Sequence, residues 1–164
     1  MRGVNLARQS TSERQLQIIE ATQNLITSKG MEFVTIDAIA EKVGLTEGAI
    51  YKHFRSKREI LTLLIDSIEQ NLMETLVNSK QVGDSSLDHM GRILVAHLND
   101  VEDRRAVSFI LISEAIAFDG IFMSDRVSLM LNNYLDFIKN VVDEGIKDRS
   151  IRPDVDIGAA ANTF

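Results

Sequence analysis

The side chains able to ligate a metal or attack a substrate are few. Histidine stands only at His53, His89 and His97, and cysteine is absent. On a helix His89 and His97 lie two turns apart, and His53 is remote from both, so no zinc site is assembled. No glycine pattern cradles a phosphate, and no nucleophile has a recognisable base beside it. Catalysis, a metal and a cofactor therefore find no support. The polar residues that do form a pattern occupy one stretch, Thr46-Glu-Gly-Ala-Ile-Tyr-Lys52. Read as a helix, it turns Ile50 inward and Thr46, Glu47, Gly48, Tyr51 and Lys52 outward. Hydroxyl, carboxylate, phenol and ammonium groups on one outer face suit binding rather than bond-breaking.

The elements that must position this face are all helical. Of 164 residues only Pro153 is a proline, which permits long helices and fits poorly with an all-β chain. Ser12-x-x-Gln15 reads as a capping box opening a first helix, with Ile18, Ile19, Thr22, Leu25 and Ile26 at helical spacing before Gly30. Thr35 caps a short second helix whose apolar face is Ile36, Ile39, Ala40 and Val43. Gly44 breaks it, and Thr46 caps a third helix running through Ile50 to Phe54. Ser56-x-x-Glu59 opens a long fourth helix through Leu63, Leu64, Ile68, Leu72 and Leu76.

Two helices of about eight residues joined by a glycine-led turn have the geometry of a helix-turn-helix. Counted from Ile36, the fifth residue is Ala40, the ninth Gly44 and the fifteenth Ile50. Ala40 is small where the third helix crosses, Gly44 supplies a left-handed backbone, and Ile39, Val43, Leu45 and Ile50 close the core between the helices. The run Ile39-Ala-Glu-Lys-Val-Gly-Leu-Thr-Glu-Gly-Ala-Ile-Tyr-Lys-His-Phe-Arg-Ser-Lys-Arg-Glu-Ile-Leu61 closely resembles the DNA-binding segment of the tetracycline-repressor-like (TetR) family. Gly30, Phe33 and Thr35 also sit where that family's pattern places them, and Ile151-Arg-Pro-Asp-Val-Asp156 resembles the turn before its eighth helix.

The resemblance implies a homodimeric, ligand-responsive transcription regulator, most often a repressor, with the third helix in the major groove of one half of a palindromic operator. By that likeness Thr35, Tyr51, His53 and Lys57 map to positions that hold phosphates. Thr46, Glu47, Gly48 and Lys52 lie where bases or nearby phosphates are reached. The residues themselves agree in part. A hydroxyl and backbone amides at a helix start suit a phosphate, and Lys57 adds a positive charge. Tyr51 and Lys57 position, Glu47 and Lys52 carry sequence information, and Gly48 with Ala49 permits close approach. For His53 an equal alternative is packing at the junction of the third and fourth helices. Arg2, Arg8 and Arg14 suggest an arm, although the first ten residues read better as disordered.

The second half reads as more helix. Ser85 with Asp88 opens a fifth, with Leu87, Met90, Leu94, His97 and Val101 on one face. A sixth, from about Glu102 to Phe118, is apolar almost all round and is ended by Asp119-Gly120. A seventh runs from near Ser124 to about Lys147, with Val127, Met130, Leu131, Tyr134, Ile138, Val141 and Gly145 inward. Asp154 starts a last helix. The expectation is an all-α fold with a DNA-binding domain over 1–56 and an effector-binding and dimerisation domain over 57–164. Phe109, Phe118, Met130 and Tyr134 suit the lining of a cavity for a small hydrophobic effector. His97 and Glu114 stand out as polar groups on apolar faces, where a carboxylate needs a partner. For the aromatic and methionine residues ordinary core packing is the competing reading, and for Glu114 a structural pairing with His97, an arginine or a dimer partner.

Charge is divided unevenly. Residues 1–62 carry nine Lys/Arg against seven Asp/Glu, and 63–164 carry nine against seventeen. An N-terminal segment of opposite sign suggests the part that meets a polyanion. No apolar leader or spanning stretch is present, which predicts a soluble cytoplasmic protein without membrane attachment. The sequence stops in what reads as mid-helix, so either it is cut short or its dimer interface differs from that of its relatives. An alternative of another class is an all-α protein-interaction module whose helix-turn-helix no longer binds DNA. Steep salt dependence of binding separates the two.

Overall fold

Helix follows helix wherever a capping residue precedes an apolar-periodic run. The structure, a computed structural model, describes the backbone of residues 11–103 and 107–163, with side chains for 11–99, 112–113, 116–117 and 120–163. Its elements are α1 (Thr11–Lys29), a 3-10 turn (Met31–Phe33), α2 (Ile36–Val43), α3 (Glu47–Ile50), α4 (Lys57–Asn78), α5 (Ser86–Asp103), α6 (Val107–Lys147) and α7 (Ile157–Thr163). No strand occurs among the described residues, and the fold is all-α. The chain divides into two units, Met1–Leu64 and Ile65–Phe164, so α4 contributes its first eight residues to one and the rest to the other.

In the first unit α1 buries Ile18, Leu25 and Ile26, and packs on α2 and on the 3-10 turn. Ile39 and Ala40 from α2, Ile50 and Phe54 from α3 and its exit, and Ile60, Leu61 and Leu64 from α4 are all buried. Thr22, the buried polar residue of α1, returns its hydroxyl to the Ile18 carbonyl at 2.8 Å and so leaves no donor unsatisfied.

The second unit is built around Leu76, Ile93, Ile138, Val142 and Ala161, flanked by Met73, Met90, Tyr134, Phe137, Ile151 and Ile157. Ser85 caps α5 reciprocally with Asp88: the Asp88 amide donates to the Ser85 hydroxyl, and the Ser85 amide to the Asp88 carboxylate. A second anchor comes from the turn after α6, where Asp148 accepts from the Ser86 amide and hydroxyl at 2.9 and 2.8 Å. Gly145 lets that turn close, because a Cβ there would lie 2.5 Å from Ile151 Cδ1.

Four expectations are corrected. The sixth and seventh helices are one element, the 41-residue α6. Asp119-Gly120 does not end it, although Gly120 takes a left-handed φ of 40 that interrupts the regular geometry there, and the apolar spacing resumes at once with Met123, Val127 and Met130 buried. The inner face of α5 is Ser86, His89 and Ile93, with Met90 beside it, whereas Leu87 and Leu94 are exposed. Ser12 lies within α1 rather than ahead of it. Finally, α3 ends at Ile50, and residues 51–53 continue as turn, with the Phe54 amide still bonded to the Ile50 carbonyl.

Candidate nucleic-acid interface

The outward face of α3 is set by what lies before it. Thr35 has extended backbone angles, and its hydroxyl oxygen accepts from the Ala38 amide at 3.0 Å, opening α2. Gly44 closes α2 at φ 68 and ψ 36, a left-handed conformation that a side chain resists. The Leu45 amide then bonds the Ala40 carbonyl at 2.8 Å, which fixes the turn. Thr46 repeats the capping geometry, accepting from the Ala49 amide at 3.3 Å. Both capping threonines are exposed and use an oxygen lone pair inward, so each hydroxyl hydrogen remains able to donate outward.

Ile50 and Phe54 anchor this short element from below. Their burial forces Glu47, Gly48, Tyr51 and Lys52 to solvent, with Ala49 half-buried between. Tyr51 is 52% exposed, too open for a core aromatic. A Cβ built on Gly48 would meet nothing within 4 Å. The fold does not require a glycine there.

His53 and Lys57 stand at the entrance to α4. His53 is half-buried, and its Nδ1 is sealed from solvent with no hydrogen-bond partner among the described residues. An outside phosphate therefore has access only through the other side of that ring. Lys57 is the first residue of α4 and half-buried, and burial lowers its pKa below the ordinary lysine value. A cation at a helix N-terminus also opposes the helix dipole. The Ser56 cap accepts from the Glu59 amide at 3.2 Å and holds this end in register. Arg14 bonds Gln17 on α1, while Arg2 and Arg8 lie outside the described residues.

Of the effector candidates, the structure brings two together. The Tyr134 hydroxyl stands 3.4 Å from His97 Nδ1, and the rings lie 5.5 Å apart at a 32° tilt. Burial pushes the Tyr134 pKa up to about 12, so the phenol stays a neutral donor. Met130 is buried one helical turn before Tyr134. The side chains of Phe109, Glu114 and Phe118, all on α6, lie outside those described. A shallow depression of about 330 Å³ is lined instead by Val77, Lys80, Ser86, His89, Phe137, Asn140, Val141 and Glu144.

Two features were not anticipated. His89 is buried, with Nε2–H donating to the Leu76 carbonyl at 2.9 Å and its ring edge-on to Phe137. Arg126 on α6 donates to Asp66 at 2.8 Å and also to Glu69 on α4, while Asn133 donates to the other Glu69 oxygen at 2.7 Å. Burial alone lowers the Arg126 pKa, but the bonds to Glu69 and Asp66 outweigh it and raise the net value. The spacings Asp66/Glu69 and Arg126/Asn133 put each pair on one helix face, which was the available signal. Among the described residues no group of three His, Asp or Glu side chains could hold a metal ion.

An all-α fold carrying two short helices around a left-handed glycine, with a polar outer face on the second, is that of a helix-turn-helix regulator. Residues 18–64 match the model of the bacterial regulatory proteins of the tetR family, so this segment is of the tetR type. Its members are regulators rather than enzymes. The nucleoid occlusion factor SlmA of Actinobacillus pleuropneumoniae serotype 5b is 32% identical over 126 residues, which is 76% of this chain and 62% of that protein. This chain thus spans less than two thirds of that relative. The crystal structure of the regulator FadR from Bacillus subtilis in complex with stearoyl-CoA has the same fold, with a TM-score of 0.77, 20% identity, and coverage of 90% of this chain and 79% of that one. The tetR-family regulator PfmR from Thermus thermophilus gives 0.73 at 22% identity, covering 89% and 79%. No helix among the described residues is long and apolar enough to cross a membrane.

Proposed function

We propose that the protein is a cytoplasmic transcriptional regulator that reads a palindromic DNA operator as a homodimer, acts as a repressor, and is released by a small hydrophobic effector. The observation that carries the DNA reading is the outer face of α3. Its polar groups are turned to solvent by buried Ile50 and Phe54, around a glycine that packing does not need. In this reading Thr35, Tyr51, His53 and Lys57 hold phosphates and fix the register. Thr46, Glu47 and Lys52 reach base edges or the phosphates beside them, and Gly48 and Ala49 let the backbone come close.

The effector would act on the second unit. The residues proposed to meet it are Met130, Tyr134 and His97, an apolar group with polar ends, and also Phe109, Glu114 and Phe118, whose side chains lie outside those described. Helix α4 starts beside the reading helix and is tied at Asp66 and Glu69 to Arg126 of α6. An effector that favours another placement of α6 therefore biases α4, and it changes operator affinity only by its differential affinity for the two states. Half-sites one DNA turn apart require readers about 34–36 Å apart, so a shift of a few Å suffices.

The test is selection of random duplex DNA on the full chain at low salt, with sequencing of the bound pool. An enriched inverted repeat is expected. A pool that stays random refutes DNA reading and leaves the protein-interaction module as the surviving function.

A further inference from the structure

The polar groups on the outer face of α3 differ in what they can recognise. Tyr51 and Lys52 carry donors, and a donor is satisfied by any phosphate. Glu47 is the exception. Its carboxylate is exposed and makes no hydrogen bond or ion pair with any described residue. As an ionised group it only accepts, and like-charge repulsion keeps it off a phosphate. On the same face, Gly48 presents no side chain next to it.

The donors that DNA offers in the major groove are the N4 amine of cytosine and the N6 amine of adenine. Adenine N6 is flanked by the N7 acceptor, whose lone pair opposes the second carboxylate oxygen. Cytosine N4 is flanked by a C–H and carries no such conflict. Building on the DNA-reading function proposed above, we infer that Glu47 specifies a C·G pair in each half-site, its carboxylate accepting from cytosine N4. The same charge weakens attachment to DNA of any other sequence, since elsewhere it meets phosphates, base acceptors or an adenine N6 whose neighbouring N7 opposes it. Glu47 thus trades affinity for discrimination, of roughly tenfold against another pair at that position.

The experiment is parallel selection of random duplex DNA with the full chain, Glu47→Gln and Glu47→Ala, together with thermal melting of all three. The wild-type pool should hold one fixed C·G pair per half-site. Glu47→Gln should move that position to A·T, because an amide both donates to N7 and accepts from N6. Glu47→Ala should relax that position alone and raise affinity for mixed-sequence DNA severalfold, with melting midpoints unchanged. If both variants keep the wild-type base preference, Glu47 reads no base. A shared loss of affinity and melting temperature without a change in preference means Glu47 only stabilises the first turn of α3, and also overturns the inference. Failure of the wild type itself to enrich any sequence removes the DNA reading beneath it, a distinct result.

Discussion

Gly48 separates stability from function at the level of one residue. A Cβ there touches nothing within 4 Å, so the fold gains nothing from glycine and loses helix propensity. Gly48→Ala should therefore raise the stability of the first unit by about 0.5–1 kcal/mol, measurable by denaturant titration. If α3 lies against DNA, the same methyl group holds it away, and affinity for the selected operator should fall about tenfold or more. A variant that is more stable and binds equally well would place Gly48 away from DNA. Single residues of this kind were legible in the sequence because their causes are local. Thr35, Thr46 and Ser56 each cap an amide three residues on, and Gly44 takes the left-handed angle its place between two capped helices demands. His53 was left open between phosphate contact and packing, and its Nδ1 is sealed from solvent without a hydrogen-bond partner among the described residues.

Whole elements were legible where one apolar stripe exists and misread where the stripe is wide. On α5 the positions Leu87, Met90, Leu94 and His97 average the direction of an arc whose two edges differ in fate. The edge at His89 and Ile93 is buried, and the edge at Leu87, Leu94, Val95 and Leu98 faces solvent. Periodicity reports the mean of such an arc and not which side is covered. Contacts between elements distant in sequence were invisible for a related reason. The Arg126 tie to α4 spans about sixty residues, as does the bond from Asp148 to the start of α5. The latter makes a prediction about pH. Hydrogen bonds from Ser150 and from Ser86 hold the Asp148 carboxyl well below the usual carboxylate range. A folded-state pKa depressed in this way adds stability above the unfolded value, near 4, and loses it as pH falls below that. Asp148→Asn should lower the melting temperature of the second unit at pH 7. It should also flatten part of the decline that the wild type shows between about pH 4 and 2. Identical melting curves at both ends of that range would mean that Ser85 and Asp88 alone secure the start of α5.

At the scale of the molecule, charge is the variable that distinguishes a DNA reader from a protein-docking relic. The first 62 residues carry a small positive excess, and the remaining 102 carry an excess of eight acidic groups. Attraction to DNA therefore depends on a few cations at the interface rather than on a general basic field. Lys52 and Lys57 are the two cations that the DNA-reading proposal sets against phosphates. Each phosphate neutralised releases condensed counterions worth about 0.9 in the slope of log affinity against log salt. One copy should then give a slope near −1.8 and a symmetric pair near −3.6, so the slope also counts the copies bound. Lys57→Met should reduce it by about 0.9 per copy while leaving the selected sequence unchanged, because a phosphate contact positions without reading. Glu47→Ala should do the reverse, changing the sequence with little effect on the slope. Below about 0.01 M salt the screening length reaches about 30 Å, and the acidic residues begin to oppose binding, so the plot should flatten there. A slope near zero across the whole range, with binding intact, would show that phosphates are not what the outer face of α3 holds.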